Sequence, residues 1–280
     1  MHGSASGRRP WTFYFFAGFF TLFVLFLYGP MTVIYILSFQ GDNGGLTFPM
    51  TGVSTQWFAA LIEQNRTGDI AGAFMRSIGL AIVVAALTIV VSVLAGLGFR
   101  RRFPGSAVVF YLTIASLIMP GIFVALGIAL GFRLLGLQTD WIGSGLAAQL
   151  TWTLPFGLLI MFAVLGRFNR SYEEAATDLG ATPWQRTREV TLPILVPGMI
   201  GVALFGFTLS YDEFPRTSLT AGSENTLPLE IWAMTTNVTS PALYAVGTVT
   251  TVISFVVILL GLGSIARIQR QRAKRTAKQS

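Results

Sequence analysis

The chain contains no cysteine and a single histidine, and no glycine is followed by lysine. Without cysteine there are no disulfides and no thiolate ligands. The one histidine, His2, lies in a polar leader. That argues against a Ser/His/Asp catalytic site and against a His/Cys metal centre. No catalytic residue and no metal ligand is assigned. The missing Gly-Lys pair means that the phosphate-binding pattern G-x-x-x-x-G-K-[ST] is absent, so any ATP must sit on another chain. Charge is scarce too: Asp, Glu, Lys and Arg make up 11% of 280 residues, against about 25% in soluble domains. That is too little for a polar shell, and lipid is the alternative solvent.

What is present instead is apolar sequence, 53% of the chain, in long runs. A bilayer-crossing helix needs about 20 mostly apolar residues. Six runs qualify, at 11–39, 77–99, 107–130, 144–165, 194–209 and 244–265. The expected fold class is therefore an all-α membrane protein with six transmembrane helices. Arg8-Arg9 before the first run resembles a signal peptide, but the run is longer than an h-region of about 7–15 residues and no small-x-small site follows. It reads as a retained helix. Pro30, Pro120, Pro155 and Pro197 fall inside runs one, three, four and five. Kinked or interrupted helices are expected there, either lining a pathway or reflecting the frequency of proline in membrane helices. No charge falls in the middle of a run and no inverted repeat is evident, which argues against a gradient-driven secondary transporter or channel, the alternative reading.

Lys and Arg set the orientation. Six spans put both termini on one side, and that side collects all of the 19 basic residues except Arg66, Arg76, Arg133 and Arg216. The opposite side holds Asp42, Glu63, Asp69, Asp140, Asp212, Glu213, Glu224 and Glu230. Both termini are expected in the cytoplasm. The net charge of +7 thus reports topology rather than nucleic-acid binding. Trp57 to Ile62 in the first outer loop reads as a short amphipathic helix at the interface, and the basic tail 266–280 as disordered or lying on anionic lipid.

The inner loop, 166–193, carries two capping patterns. Ser171 with Glu174 predicts a helix from Tyr172 to Leu179 that stops at Gly180. Thr182 with Gln185, and Pro183 at the first helical position, predicts a second helix to about Val190, ended by Leu192-Pro193. Ala175 and Ala176 are small enough for a partner to approach the backbone, and Glu173, Glu174, Asp178, Arg186 and Arg188 offer charge at the rim. The loop is either a docking knob or an ordinary capped turn.

Glu174-Ala175-Ala176, three residues, Gly180, nine residues, then Val190-Thr191-Leu192-Pro193 resembles the EAA loop of ABC-importer permeases, with Val190 replacing isoleucine. The resemblance implies a type I importer fold, with one extra N-terminal helix (11–39) ahead of a five-helix core (77–265) in a single domain spanning 1–280. It also implies a bacterial inner-membrane location and a coupling contact made by Glu173, Glu174, Ala175, Ala176, Asp178, Gly180, Leu192 and Pro193. The partners it implies are a cytoplasmic ATPase dimer carrying ATP and Mg, a homologous second permease forming a heterodimer, and an extracytoplasmic solute-binding protein. This chain itself would bind no cofactor. Ser210 to Phe214, Thr226 to Leu229, Ile231 to Met234, Pro30 to Ser38 and Met119-Pro120 resemble the second permease of spermidine/putrescine importers. That implies a polyamine or related amine as cargo, with an opine, aminobutyrate or another small solute as the alternative. Tyr211, Asp212, Glu213 and Phe214 are the candidate pathway residues, because acids at a span's end face water, a partner charge or a path, and aromatics hold amines. The other role open to the acids is capping or pairing with Arg216.

Overall fold

The computed structural model describes residues 10–62, 69–101, 103–237 and 240–276, of which 272–276 by backbone alone. His2, Arg8, Arg9, Glu63, Arg66, Arg102 and Lys278, and the side chains of Arg272, Lys274 and Arg275, lie outside them. The described residues form helices and turns, with one isolated bridge pairing Gln40 and Val53. In chain order the helices are α1 (Trp11–Leu37), α2 (Gln56–Ala60), α3 (Ile70–Phe99), α4 (Ser106–Ile118), α5 (Gly121–Leu134), α6 (Trp141–Gly166), α7 (Ser171–Asp178), α8 (Pro183–Tyr211), α9 (Leu227–Asn237) and α10 (Ala242–Thr276). Helices α1, α3, α6, α8 and α10 are each long and apolar enough to cross a bilayer.

The third expected span is not one kinked helix. Met119-Pro120 separates α4 from α5, and the two are bent by 109°. Both residues are extended, and the ring of Pro120 disfavours helical geometry at Met119. Together the pair is long and apolar enough to count as a sixth span if the bent halves form one crossing.

The fourth behaves the other way. Pro155 was expected to interrupt it, yet α6 runs through. Proline cannot donate to the carbonyl one turn back, that of Thr151. Ser116 Oγ on α4 lies 3.0 Å from that carbonyl and 2.7 Å from the Thr113 carbonyl of its own helix, so its single proton is shared between the two and the orphaned acceptor gains a partial partner from a neighbouring helix. The fifth span is longer than expected, since the helix does not end at Leu192-Pro193. A π-helical stretch, Arg186–Thr191, precedes the proline and the chain continues as α-helix to Tyr211. The wider turn absorbs the register change that the ring would otherwise force as a break. Of the two readings of the tail, disorder does not hold through Thr276, to which α10 continues past Ile265.

The chain divides into two compact units, 1–67 with 237–251 and 68–236 with 252–280. In the first, Trp57 Nε1 on α2 donates to the Gln40 carbonyl at 2.8 Å, Phe58 packs on Phe39 and Tyr244 Oη donates to the Leu46 carbonyl at 2.6 Å. Helix α2 is shorter than the expected stretch, and Leu61 and Ile62 follow it as a hydrogen-bonded turn, Ile62 N donating to the Ala59 carbonyl. In the second unit α3, α6 and α8 pack mutually around Val93, Met161, Leu165, Leu195 and Val202. Small residues permit this approach, as they do generally between membrane helices. A Cβ on Gly206 of α8 would lie 3.2 Å from Ala85 Cα on α3. Polar groups inside the packing find each other, Thr88 Oγ1 donating to Thr153 Oγ1 at 2.9 Å and Ser210 Oγ to Gln149.

Candidate coupling site

Helix α7 begins one residue earlier than the capping pattern predicts. Arg170 is the N-cap, and its carbonyl accepts from Glu173 N and Glu174 N. The Ser171 hydroxyl makes no cap and the Ser171–Glu174 box does not form. Asn169 Oδ1 instead accepts from Ser171 N at 3.0 Å. Glu173 and Glu174 stay in the first turn, where the helix dipole favours anions.

The far end follows the prediction. Gly180 has φ +82°, Gly180 N donates to the Thr177 carbonyl and Ala181 N to that of Ala176. This double closure requires a left-handed residue, which glycine supplies at little strain. Two residues on, Thr182 Oγ1 accepts from Gln185 N at 3.3 Å and Gln185 Oε1 from Thr182 N at 2.9 Å, the reciprocal box expected there.

The knob is tied to the membrane helices through Glu173. Arg100, capping the C-terminal end of α3, grips it with two bonds, Nη1 to Oε1 at 2.8 Å and Nη2 to Oε2 at 2.7 Å. Thr191 Oγ1 in α8 donates to Oε1 at 2.7 Å, and the Arg100 guanidinium lies over the Phe168 ring at 5.0 Å. Both ion-pair side chains are 18% exposed. The Arg100 bonds hold the Glu173 carboxyl below the usual carboxylate range against the opposing effect of burial, with Thr191 adding to the depression. Glu173, expected to offer its charge at the rim, thus directs it inward. Arg100 and Thr191 were not anticipated, because nothing local in sequence links positions so far apart.

On the outward side Glu174, Ala175, Asp178 and Gly180 are exposed, and Ala176 is half-buried. Leu192 is half-buried and Pro193 exposed at the base. Three large side chains that the pattern did not single out also stand in the open: Leu179 at 88% exposure, Trp184 at 67% and Tyr172. Tyr172 sits edge-on to Phe168 one turn back, whereas Leu179 and Trp184 are visible in retrospect as large apolar residues in a polar loop.

The second candidate cluster lies where α8 ends. Tyr211 is buried, stacked on Phe207 and edge-on to Phe74. Asp212 caps the helix and is exposed. Phe214 packs against Trp232. Of the roles open to Glu213, pairing with Arg216 is the one adopted. Its Oε1 accepts from Arg216 N at 3.0 Å and from Nη1 at 3.3 Å, and both residues are buried. The Arg216 guanidinium lies 4.4 Å over the Trp152 ring. It also abuts the α4–α5 elbow, where a Cβ on Gly121 would come within 2.9 Å of Nη1.

Long apolar helices packed through small residues, with an exposed helical knob latched to two of them, define a membrane-embedded permease. Residues 88–275 match the model of binding-protein-dependent transport system inner membrane components, and the chain belongs to that family. It is accordingly a multi-pass inner-membrane transport subunit of an ABC importer rather than an ATPase. Among its relatives are the spermidine/putrescine transport system permease protein PotC of Escherichia coli K12, 30% identical over 86% of this chain and 90% of the relative. The putrescine transport system permease protein PotI of the same strain is 30% identical over 95% of both. Solved structures share the fold: a bacterial alginate ABC transporter in complex with an alginate pentasaccharide-bound periplasmic protein (TM-score 0.69, 17% identity, 93% of this chain and 96% of that one). The MetNI methionine ABC transporter in inward-facing conformations gives a TM-score of 0.59 at 17% identity, over 71% and 95%.

Proposed function

We propose that this subunit receives the conformational work of a separate ATPase through the α7 knob and imports a polyamine or related amine by alternating access. The observation that carries the reading is the knob itself: an exposed face of Glu174, Ala175, Asp178 and Leu179 on a short helix whose other face is held by Arg100 of α3 and Thr191 of α8. A push on such a helix is delivered to two membrane helices at once. ATP and Mg belong to the partner, a cytoplasmic ATPase dimer. Both termini face the cytoplasm, a homologous second permease completes the pathway and a solute-binding protein delivers the cargo. The amine assignment is supported by the names of PotC and PotI and by the exposed Asp212 beside an aromatic cluster.

Glu174→Arg and Gly180→Trp test the docking. Each should lower ATPase co-purification about tenfold or more, as loss of a central interface residue does. Normal co-purification with unimpaired uptake would refute it. Cargo is tested separately, by the ATPase stimulation of the assembled complex with its binding protein across a panel of amines. Putrescine or spermidine should stimulate; stimulation by a non-amine solute alone would overturn the amine assignment.

A further inference from the structure

Beside the knob, a cavity of about 300 Å³ is lined by Leu97, Arg100, Arg101, Arg170, Glu173, Arg186 and Thr187. Four arginines thus face one carboxylate. That carboxylate is already engaged: Arg100 holds both Glu173 oxygens, and Thr191 adds a bond to one. The charge of Arg100 is neutralised by this pair, while Arg101, Arg170 and Arg186 form no ion pair among the described residues. Arg186 donates from Nη1 to Thr177 Oγ1 at 3.1 Å, and its Nε is buried without a partner. The pocket therefore carries more guanidiniums than carboxylates, although Arg186 also acts on Glu173 and Arg170 and Arg186 border Glu174 and Asp178 in the adjoining cavity; Thr187 is a further polar group and Leu97, on the last turn of α3, an apolar wall. Guanidiniums offer several donors in a planar fork that matches phosphate oxygens.

We infer that this cavity binds a phosphate-bearing anion, held by Arg101, Arg170 and Arg186, and that its occupancy steadies the knob against the inner end of α3. The inference rests on the proposed role and orientation of the knob. The same chemistry is presented by the headgroup of an anionic phospholipid in the inner leaflet and by soluble phosphate. The apolar wall and the position at a span's end favour the headgroup, since basic pockets between membrane helices on the cytoplasmic side take such groups.

The test uses the purified complete complex, wild type and with Arg101→Gln/Arg170→Gln. The complex is placed in phosphatidylcholine vesicles, with or without phosphatidylglycerol. Retained phosphatidylglycerol is counted by native mass spectrometry after extraction, and binding-protein-stimulated ATPase activity is measured in the vesicles. The wild type should retain phosphatidylglycerol and be stimulated by it, and the double variant should lose retention about tenfold or more. In a second arm, inorganic phosphate is added to the complex in phosphatidylcholine alone. Stimulation there that the double variant lacks would support the site with a soluble source. Equal retention by wild type and variant, with no differential response to phosphate, would overturn the proposal. If the double variant loses its ATPase while retaining phosphatidylglycerol normally, the arginines serve the protein interface and the phosphate site is again overturned. Failure of the docking reading itself would appear elsewhere, as normal ATPase co-purification with Glu174→Arg.

Discussion

At the scale of single residues, Glu173 is the position where charge, geometry and connectivity meet. Its carboxylate is depressed chiefly by the Arg100 hydrogen bonds. A group whose folded-state pKa lies below its unfolded value contributes stability that is fully present above the unfolded value and is lost as pH falls through the folded one. The Arg100–Glu173 latch should therefore loosen only on acidification below the ordinary carboxylate range. Glu173→Gln keeps the shape but removes the charge, and should lower stability by about 1–2 kcal/mol at neutral pH. Thermal unfolding of the detergent-solubilised protein should show that difference near neutrality and convergence with wild type in acid. A difference that persisted unchanged into acid would show that Glu173 is not ionised in the latch. Gly180 makes a cleaner backbone case. Nothing lies within 4 Å of where its Cβ would be, so Gly180→Ala meets no neighbour and carries only the strain of φ +82°. The expected loss is about 1 kcal/mol, with Gly180→Asn milder because asparagine tolerates the left-handed region. Thermal unfolding of the two variants side by side checks that order.

At the scale of elements, prolines separate what sequence patterns convey from what they do not. The long apolar runs, the glycine stop and the Thr182 box were all readable, because each depends on residues within a turn or two of one another. What each proline would do was not readable, because the outcome rests on partners distant in sequence. At Pro120 two apolar helices meet at 109°. Pro155 does not break its helix, and the carbonyl it leaves without a donor, that of Thr151, lies within reach of Ser116 Oγ on another helix, which it shares with the Thr113 carbonyl. Pro193 is absorbed by a π-helical turn. The same limit hid the latch: Arg100 looked like one basic residue of an inner-side cluster, and only the packing of α3 beside α7 reveals its carboxylate. The Ser116–Thr151 bond can be tested as an element-level device. Ser116→Ala should destabilise by about 1 kcal/mol, within the range for polar contacts between membrane helices. In a Pro155→Ala background the helix regains its own donor, so the same serine substitution should cost much less. An equal penalty in both backgrounds, in a double-mutant cycle by unfolding, would show that the serine does not substitute for the missing donor.

At the scale of the whole molecule, the question is which charges belong to the fold and which remain for cargo. Both acids at the end of α8 are pathway candidates in sequence, pairing with Arg216 being the readier role for Glu213, and the structure separates them. Glu213 is bound up with Arg216, over Trp152 and against the α4–α5 elbow, whereas Asp212 is exposed. Burying a cation without its partner is far more costly than burying neither. Glu213→Gln should consequently destabilise strongly, by about 3–5 kcal/mol, with Arg216→Met in the same chain recovering much of the loss. Asp212→Asn should leave unfolding nearly unchanged, since exposed substitutions rarely move stability by more than about 0.5 kcal/mol. If Asp212 attracts a cationic amine, its loss should instead raise the cargo concentration needed for half-maximal uptake, without lowering the amount of folded complex in the membrane. The two measurements, thermal stability and uptake at graded cargo concentration, should therefore dissociate, Glu213 moving the first and Asp212 the second. Uptake by Asp212→Asn indistinguishable from wild type at every concentration would remove that residue from the pathway.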